Sequence, residues 1–381
     1  MAIKTLITTL PPLAAGGVTT KANILARAMM DAGHDVTIAH YAVGAGITEP
    51  AGFGDVRVVP VETGWRWLEQ RYTAPSNAWR ALIDGHDRHI AVGGTVLIAN
   101  PLAAVGVRHL VWCAADLAGD RGYRWRSMSW WRQIADAQLV TPALLRQQAR
   151  VLAADNIVCG VSNDTVARLS ALAPDRAKTI RRFPIPVDAD FFTPGEVPAR
   201  EGLRIGFAGR LDDPRKNAWL MFATLAEIRE RGVDATLALA GRASPEVMAL
   251  AARCGVADAV NFAGTLERQA LCEFYRSLDV FLITSVHEGL AIAGLEAMAS
   301  GVPVVSTRCG GPADYVADLK TGRICDFDSV ELADAVIALA RPDVRPQFAQ
   351  RARRVVEMDF TYSAFERNLA AAWQATWREM P

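Results

Sequence analysis

The chain has 381 residues, 51% of them apolar and 22% charged, with 41 Lys+Arg balanced by 41 Asp+Glu. This is a globular composition, and the length favours two domains over one core. Zero formal charge gives no electrostatic footprint for nucleic acid, and no apolar run reaches the roughly 20 residues that cross a bilayer.

The opening MAIKTLITTLPPLAAGG carries a lysine, a short apolar run and small residues, as a secretory signal does. Thr5, Thr8 and Thr9 interrupt the run and two prolines follow it, so it reads instead as a first parallel strand entering a glycine turn at Gly16 and Gly17. VTTKANILARAMMDA then has apolar positions at helical spacing, Gly33 supplies a C-terminal turn, and DVTIAHY reads as the next strand. This β-α-β unit is the building block of a parallel sheet. Six cysteines (113, 159, 254, 272, 309, 325) are scattered without a C-x-x-C pair. No histidine spacing suggests a metal, which leads us to expect a reducing cytoplasm and no metal site.

The second half repeats the plan. LRIGFAGR (203–210) reads as a buried strand ending in a glycine turn, AWLMFATLAEIRERG as a helix and ATLALAG as a strand. AVNFAG, DVFLITS and PVVST are further strand candidates. The proline-dense RFPIPVDADFFTPGEVPAREG (182–202) marks a hinge between the halves. The expected division is residues 1–185, a linker 186–202 and residues 203–361, followed by an amphipathic helix in 362–381 that is read from TYSAFERNLAAAWQATW (361–377). The fold class is α/β, with two Rossmann-like doubly wound domains. Such sheets bind ligands outside the carboxyl ends of their strands, so two of them predict an interdomain cleft.

HEGLAIAGLEAMASGVPVV (287–305) places two acids, Glu288 and Glu296, in an otherwise small and apolar stretch. Glu288 falls in a loop after a strand, and Glu296 one to two turns into a short helix. The helix N-terminus beside them attracts anions, phosphate above all. The carboxylates can accept paired hydrogen bonds from sugar hydroxyls flanking a diphosphate. A lone pair of this spacing is more simply a packing helix with one satisfied and one surface glutamate. Upstream, GRLDDPRKN (209–217) places Arg210 at a strand end and Lys216 near a helix start. Two fixed cations there suit a diphosphate leaving group.

These stretches, with LALAGR, VNFAGTLERQALCEFYRSLDVFLITSVHEGLAIAGLEAMASGVPVVSTRCGGPADYV and IPVDADFFTPG, closely resemble the nucleotide-binding domain of retaining GT-B glycosyltransferases of glycosyltransferase family 4. The resemblance covers residues 155–365 well. It is thinner in the first half, and GRLDDPRKN is particularly similar to mannosyltransferases acting on phosphatidylinositol. The resemblance implies a GT-B fold whose last helix crosses back onto the first domain. It implies that Arg210 and Lys216 bind and stabilise the departing diphosphate, that Glu288 touches the transferred sugar, and that Glu296 holds the ribose hydroxyls. Backbone amides of Gly289, Leu290 and Ala291 would contact sugar and phosphate. Gly16 and Gly17 would admit the phosphates, and the base would lie near Arg242, Thr265 and Leu266.

The family usually has glycine where Ala291 stands, and often has a histidine near the reacting centre of the first domain. Here the comparable HLVWCAADLAGDRGYRW offers Trp112, Asp116, Asp120 and Arg121 as acceptor contacts. His109 reads as a satisfied strand residue. Residues 121–132, RGYRWRSMSWWR, hold four arginines and three tryptophans without an acid, which suits a packed element, an acceptor lip or the headgroup level of an anionic membrane.

The expected activity is transfer of a sugar from a UDP- or GDP-sugar to an acceptor hydroxyl of a glycan, glycolipid or small molecule. Configuration would be retained and no cofactor or metal needed, since cations of the protein would take the place of a divalent ion. The expected location is the cytoplasm, with possible contact at the inner membrane face through 121–132. A nucleotide-sugar epimerase or hydrolase would use a similar cleft, and a binding module would lack the catalytic set. A nicotinamide oxidoreductase should carry G-x-G-x-x-G after a strand, which is absent.

Overall fold

The structure is a computed structural model, and it describes residues 2–11, 17–42, 56–63, 69–126, 128–195, 201–316 and 320–381. The chain divides into two compact units, Met1–Pro184 with Glu366–Pro381, and Ile185–Phe365.

The first unit is built on a seven-stranded sheet of β1 (Lys4–Thr9), β2 (Asp35–Ala42), β3 (Arg57–Glu62), β4 (Arg88–Gly93), β5 (His109–Cys113), β6 (Asn156–Gly160) and β7 (Ile180–Arg182). The order is β3-β2-β1-β4-β5-β6-β7, and every pairing is parallel. Strands covered on both faces must be apolar at nearly every position, and β1, β2, β4, β5 and β6 are buried almost throughout. The helix Gly17–Asp31 covers the sheet through Ala22, Leu25, Ala26 and Met29, a stripe at helical spacing. The end of the C-terminal helix Tyr362–Trp377 belongs to this unit. Trp373 is fully buried with its ring edge-on to His34, and Glu379 pairs with Arg88.

The second unit carries β8 (Leu203–Ala208), β9 (Ala235–Ala240), β10 (Val260–Gly264), β11 (Val280–Ile283), β12 (Val304–Thr307) and β13 (Gly322–Cys325), in the all-parallel order β10-β9-β8-β11-β12-β13. In both sheets the chain winds outward in one direction, returns to the centre and winds outward in the other. The reversal falls between β1 and β4 in the first sheet and between β8 and β11 in the second. At such a switch point the connections leave in opposite directions and open a crevice at the strand ends.

Candidate functional site

The loops that leave β8 and β11 meet at the second switch point. After β8 the chain passes Gly209 and Arg210 and forms a single 3₁₀ turn, Pro214–Lys216. Asp213 caps this turn by accepting from the Arg215 amide. Burial pushes the Asp213 carboxyl up, but hydrogen bonds and charge from Arg215 prevail and hold it below its usual range. Asp212 accepts from the Ser244 amide, so the acids of GRLDDPRKN shape the loop. Thr284, just after β11, donates to the carbonyls of Lys216 and Asn217, and the Val286 amide donates to the Arg215 carbonyl. These bonds fix the two loops against each other.

The chemistry-bearing side chains follow from that scaffold. Lys216 Nζ donates to Glu288 Oε1 at 2.5 Å, with the two side chains only 17% and 12% exposed. Ser285 Oγ donates to the same carboxylate oxygen at 2.6 Å. The Glu288 backbone is held from both sides, its amide by the Cys309 carbonyl and its carbonyl by the Gly311 amide. Arg210 stands at the loop surface, its side chain 70% exposed and only loosely paired with Asp213 at 3.2 Å.

Beyond Glu288 the chain passes Gly289 and Leu290 to Ala291, which has φ 58° and opens the helix Ile292–Ala299. A left-handed conformation is costly for a residue with a Cβ. It explains why glycine would be the easier residue there. The Ala291 carbonyl is tied down by the Tyr315 hydroxyl at 3.0 Å and by the Gly294 amide. Glu296 lies on this helix and accepts from the fully buried Tyr275 hydroxyl at 2.7 Å. Burial pushes its carboxyl up to about 7, against the opposing pull of the Tyr275 hydrogen bond and of Arg268.

Arg242 follows β9 and is exposed, and Thr265 and Leu266 follow β10. All three lie at carboxyl ends of the same sheet. Gly241 brings two of these loops into contact: its amide donates to the Gly264 carbonyl, and a Cβ on it would lie 1.9 Å from the Gly209 carbonyl oxygen. Among the described residues no group of three or more His, Cys, Asp or Glu is placed to hold a metal ion.

In the first unit Gly17 opens the helix that follows β1, while Gly16 lies outside the described residues. The acceptor expectation for Trp112 is not met. It is a core residue of β5, fully buried, stacked on Phe183 with ring centroids 4.5 Å apart, and its indole N–H donates to the Phe183 carbonyl. Asp116 is buried and accepts from the Gly119 amide at the start of the helix Leu117–Arg126. Arg121 is buried too, its guanidinium bridging Glu69 and Asp136. His109 is fully buried with a ring nitrogen 2.7 Å from the Val107 carbonyl, and burial pushes it down to about 4.

Sequence reasoning missed Ser285 and Tyr275 beside the two glutamates, although both lie within the motif that drew attention. It also missed Lys21, a lysine occupying a core position of an amphipathic helix.

Residues 202–341 match the family model described as glycosyl transferases group 1. The chain is 32% identical over 283 residues to a GDP-mannose-dependent alpha-(1-6)-phosphatidylinositol monomannoside mannosyltransferase of Mycobacterium tuberculosis, covering 68% of this chain and 69% of that one. It is 30% identical over 258 residues to D-inositol 3-phosphate glycosyltransferase 2 of Catenulispora acidiphila, covering 62% of this chain and 57% of that one. Against several such curated relatives the chain spans about half their length. A sucrose-phosphate synthase from Thermosynechococcus elongatus shares the fold with a TM-score of 0.77 at 19% identity, over 98% of both chains. With two doubly wound parallel sheets, the architecture is GT-B, and the chain belongs to the glycosyl transferases group 1 family.

Proposed function

We propose that the protein transfers a sugar from a nucleoside-diphosphate sugar to an acceptor hydroxyl, with retention of configuration and without a metal. The observation that carries this reading is the Lys216–Glu288 pair, set between the β8 and β11 loops at a switch point, with Arg210 beside it in sequence. When the bond between the anomeric carbon and the phosphate oxygen breaks, negative charge develops on the diphosphate and positive charge on the sugar ring. Lys216 and Arg210 meet the first, joined by the amides that open the helix after Ala291. Glu288, already fixed by Ser285, faces the sugar. Glu296 accepts from the ribose hydroxyls, and Arg242, Thr265 and Leu266 line the place of the base. Fixed cations of the protein then do what a divalent ion does in other transferases.

The donor is a UDP- or GDP-sugar; the GDP-mannose named for the M. tuberculosis relative favours testing guanosine first. Titration of the purified protein with UDP, GDP, ADP and NAD in EDTA tests the site. One uridine or guanosine nucleotide binds selectively, and transfer of labelled sugar to a hydroxyl acceptor proceeds in EDTA with the anomeric configuration of the donor. Binding of NAD alone, or sugar release or epimerisation unaffected by acceptor, overturns the reading.

A second reading concerns 121–132 and its continuation. Trp130 and Trp131 are 73% and 58% exposed, with Ile134, Leu139 and Leu145 also exposed nearby in sequence. Ser127 and the side chains of Tyr123, Arg124 and Arg126 lie outside the described residues. Among the described residues no helix is long and apolar enough to cross a membrane. We place this aromatic and basic segment at the headgroup level of an anionic leaflet on the cytoplasmic side. Co-sedimentation with vesicles containing anionic lipid tests it: Trp130→Ser with Trp131→Ser releases the protein, whereas equal binding by wild type and variant sinks the idea.

A further inference from the structure

Residues 188–193, from the proline-dense segment, belong to the second unit and are bonded to it repeatedly. The Arg268 guanidinium pairs with Asp188 and lies over the Phe191 ring, 4.0 Å from its centroid. Cys272 Sγ donates to the Phe191 carbonyl, and Arg276 donates to the Thr193 carbonyl at 2.7 Å and to its hydroxyl at 2.6 Å. Arg268, Cys272 and Arg276 recur every fourth residue along the helix Arg268–Arg276, so one face of that helix holds the segment. These contacts fix the residue between them, Phe192.

Phe192 is tied to the glutamate site by two routes. The first is its backbone. The Phe192 carbonyl accepts from an Arg353 terminal nitrogen at 2.6 Å, and the same nitrogen donates to the Ala299 carbonyl at 2.6 Å. The other terminal nitrogen donates to the Ala189 carbonyl at 2.8 Å, and Nε donates to Glu357 at 2.7 Å. Ala299 is the last residue of the eight-residue helix Ile292–Ala299. Closing carbonyls of a helix have no partner within it, and a cation there also complements the helix dipole. The opposite end is held by the Tyr315 hydroxyl on the Ala291 carbonyl. Arg353 thus fixes the far end of the helix that carries Glu296, one turn beyond that residue.

The second route is the ring. Phe192 is buried with its ring edge-on to Tyr275, centroids 5.8 Å apart and planes at 70°, and the Tyr275 hydroxyl donates to Glu296 Oε2 at 2.7 Å. The Glu296 backbone is therefore set through Arg353, and its carboxylate through Tyr275, against one residue. Hydrogen bonds weaken steeply away from their preferred geometry, so an acid that must meet ribose hydroxyls depends on this register.

We infer that Arg353 and Phe192 are positioning residues for Glu296, holding its carboxylate where it accepts from the ribose and acting on the nucleotide only through it. The inference rests on the proposed assignment of Glu296 to the ribose. It implies a defect confined to the sugar part of nucleotide recognition. Arg210 and Lys216, the cations suited to the diphosphate, stand on the loop after β8, with which Arg353 makes none of these bonds.

The test is calorimetry on the full chain with UDP, GDP and their 2′-deoxy and 3′-deoxy counterparts, at pH 8, where Glu296 is mostly ionised. The wild type prefers a ribonucleotide to its deoxy forms by about tenfold, the usual contribution of a hydrogen bond to a charged group, and Glu296→Gln removes most of that preference. Arg353→Met reduces the preference to about twofold while affinity for the deoxynucleotide stays near that of the wild type. Arg353→Lys keeps donors for the carbonyls and recovers part of it. Phe192→Leu keeps the backbone carbonyl but removes the ring edge, and lowers the preference about threefold; it carries the test if Arg353→Met does not fold. Equal weakening of ribo- and deoxynucleotides by these variants overturns the inference, because a merely structural role predicts that. A preference kept in them but lost in Glu296→Gln overturns the inference and leaves the ribose assignment standing. A wild-type preference that Glu296→Gln leaves untouched overturns the ribose assignment and this inference with it, as does failure of both UDP and GDP to bind.

Discussion

Lys216 and Glu288 hold each other at 2.5 Å, so the cation suited to a departing diphosphate is already paired with the carboxylate suited to the sugar. The pair is mostly shielded from water, where an ion pair gains more from attraction but loses more if one partner goes. In the transfer we propose, an incoming diphosphate would share Lys216 with Glu288, and that sharing would keep the product nucleotide from being held too tightly.

Two variants follow from this geometry. Lys216→Met lowers turnover about 100- to 1,000-fold, the usual loss for one well-placed charge-stabilising group. Glu288→Gln leaves Lys216 unneutralised, so the free nucleoside diphosphate binds several-fold tighter while turnover falls. Calorimetry with the nucleotide and steady-state rates measure both. Weaker nucleotide binding by Glu288→Gln would contradict the shared-lysine argument.

Glu296 supplies a pH dependence. Its carboxyl is raised by burial to about 7, and ribose hydroxyls bind best to the ionised form. If Glu296 holds the donor ribose as proposed, donor affinity increases as pH rises through 7. The ionised fraction goes from about a tenth at pH 6 to about nine tenths at pH 8, so affinity improves about tenfold across that range. The nucleotide's own phosphate titrates nearby, so the control is Glu296→Gln, in which this part of the dependence disappears. Isothermal titration at pH 6, 7 and 8 on both proteins decides it; parallel slopes would remove Glu296 from the ribose site.

Much of this was legible before the structure. In the second unit buried parallel strands are nearly continuous apolar runs, and every one named from the sequence between residues 203 and 307 forms. The positions of Arg210, Lys216 and Glu288 in the loops that leave those strands, and of Glu296 in the helix that follows, can be read from those runs. What the sequence does not display is pairing over distance. That Lys216 meets Glu288 depends on the β8 and β11 loops sharing a switch point, and that Arg121 lies between Glu69 and Asp136 depends on three segments folding together. Trp112 misled for the same reason. A tryptophan before a loop suits sugar stacking, but β5 is central, flanked by β4 and β6, and its side chains are core.

Gly241 tests how far the site depends on backbone contact. It has φ 134°, and a Cβ would lie 1.9 Å from the Gly209 carbonyl oxygen, which is backbone and cannot swing away. Gly241→Ala must push apart the loops after β8 and β9, the first of which carries Arg210 and Lys216. Such steric and conformational strain costs on the order of 1–3 kcal/mol. We expect a lower melting temperature together with weakened nucleotide binding. A variant with unchanged melting and affinity would mean that the loops accommodate the methyl group without moving the cations.

Lys21 gives the last prediction, in the first unit. It is fully buried, and its ammonium donates to the carbonyls of Gly93 at 2.8 Å and Trp112 at 3.4 Å, anchoring the helix Gly17–Asp31 to the ends of β4 and β5. Burial lowers its pKa from 10.5 to about 8, with the nearby Cys113 pulling slightly the other way. Between those two values the folded state binds fewer protons than the unfolded one, so this group makes stability rise with pH from about 8 to 10.5, and its penalty is constant below about 8. Denaturant titrations of wild type and Lys21→Met across pH 7–10.5 isolate the contribution, because other titrating groups cancel in the difference. The wild type gains relative to the variant as pH rises. A difference that stays flat across that window would mean that Lys21 titrates in the folded protein as it does in water.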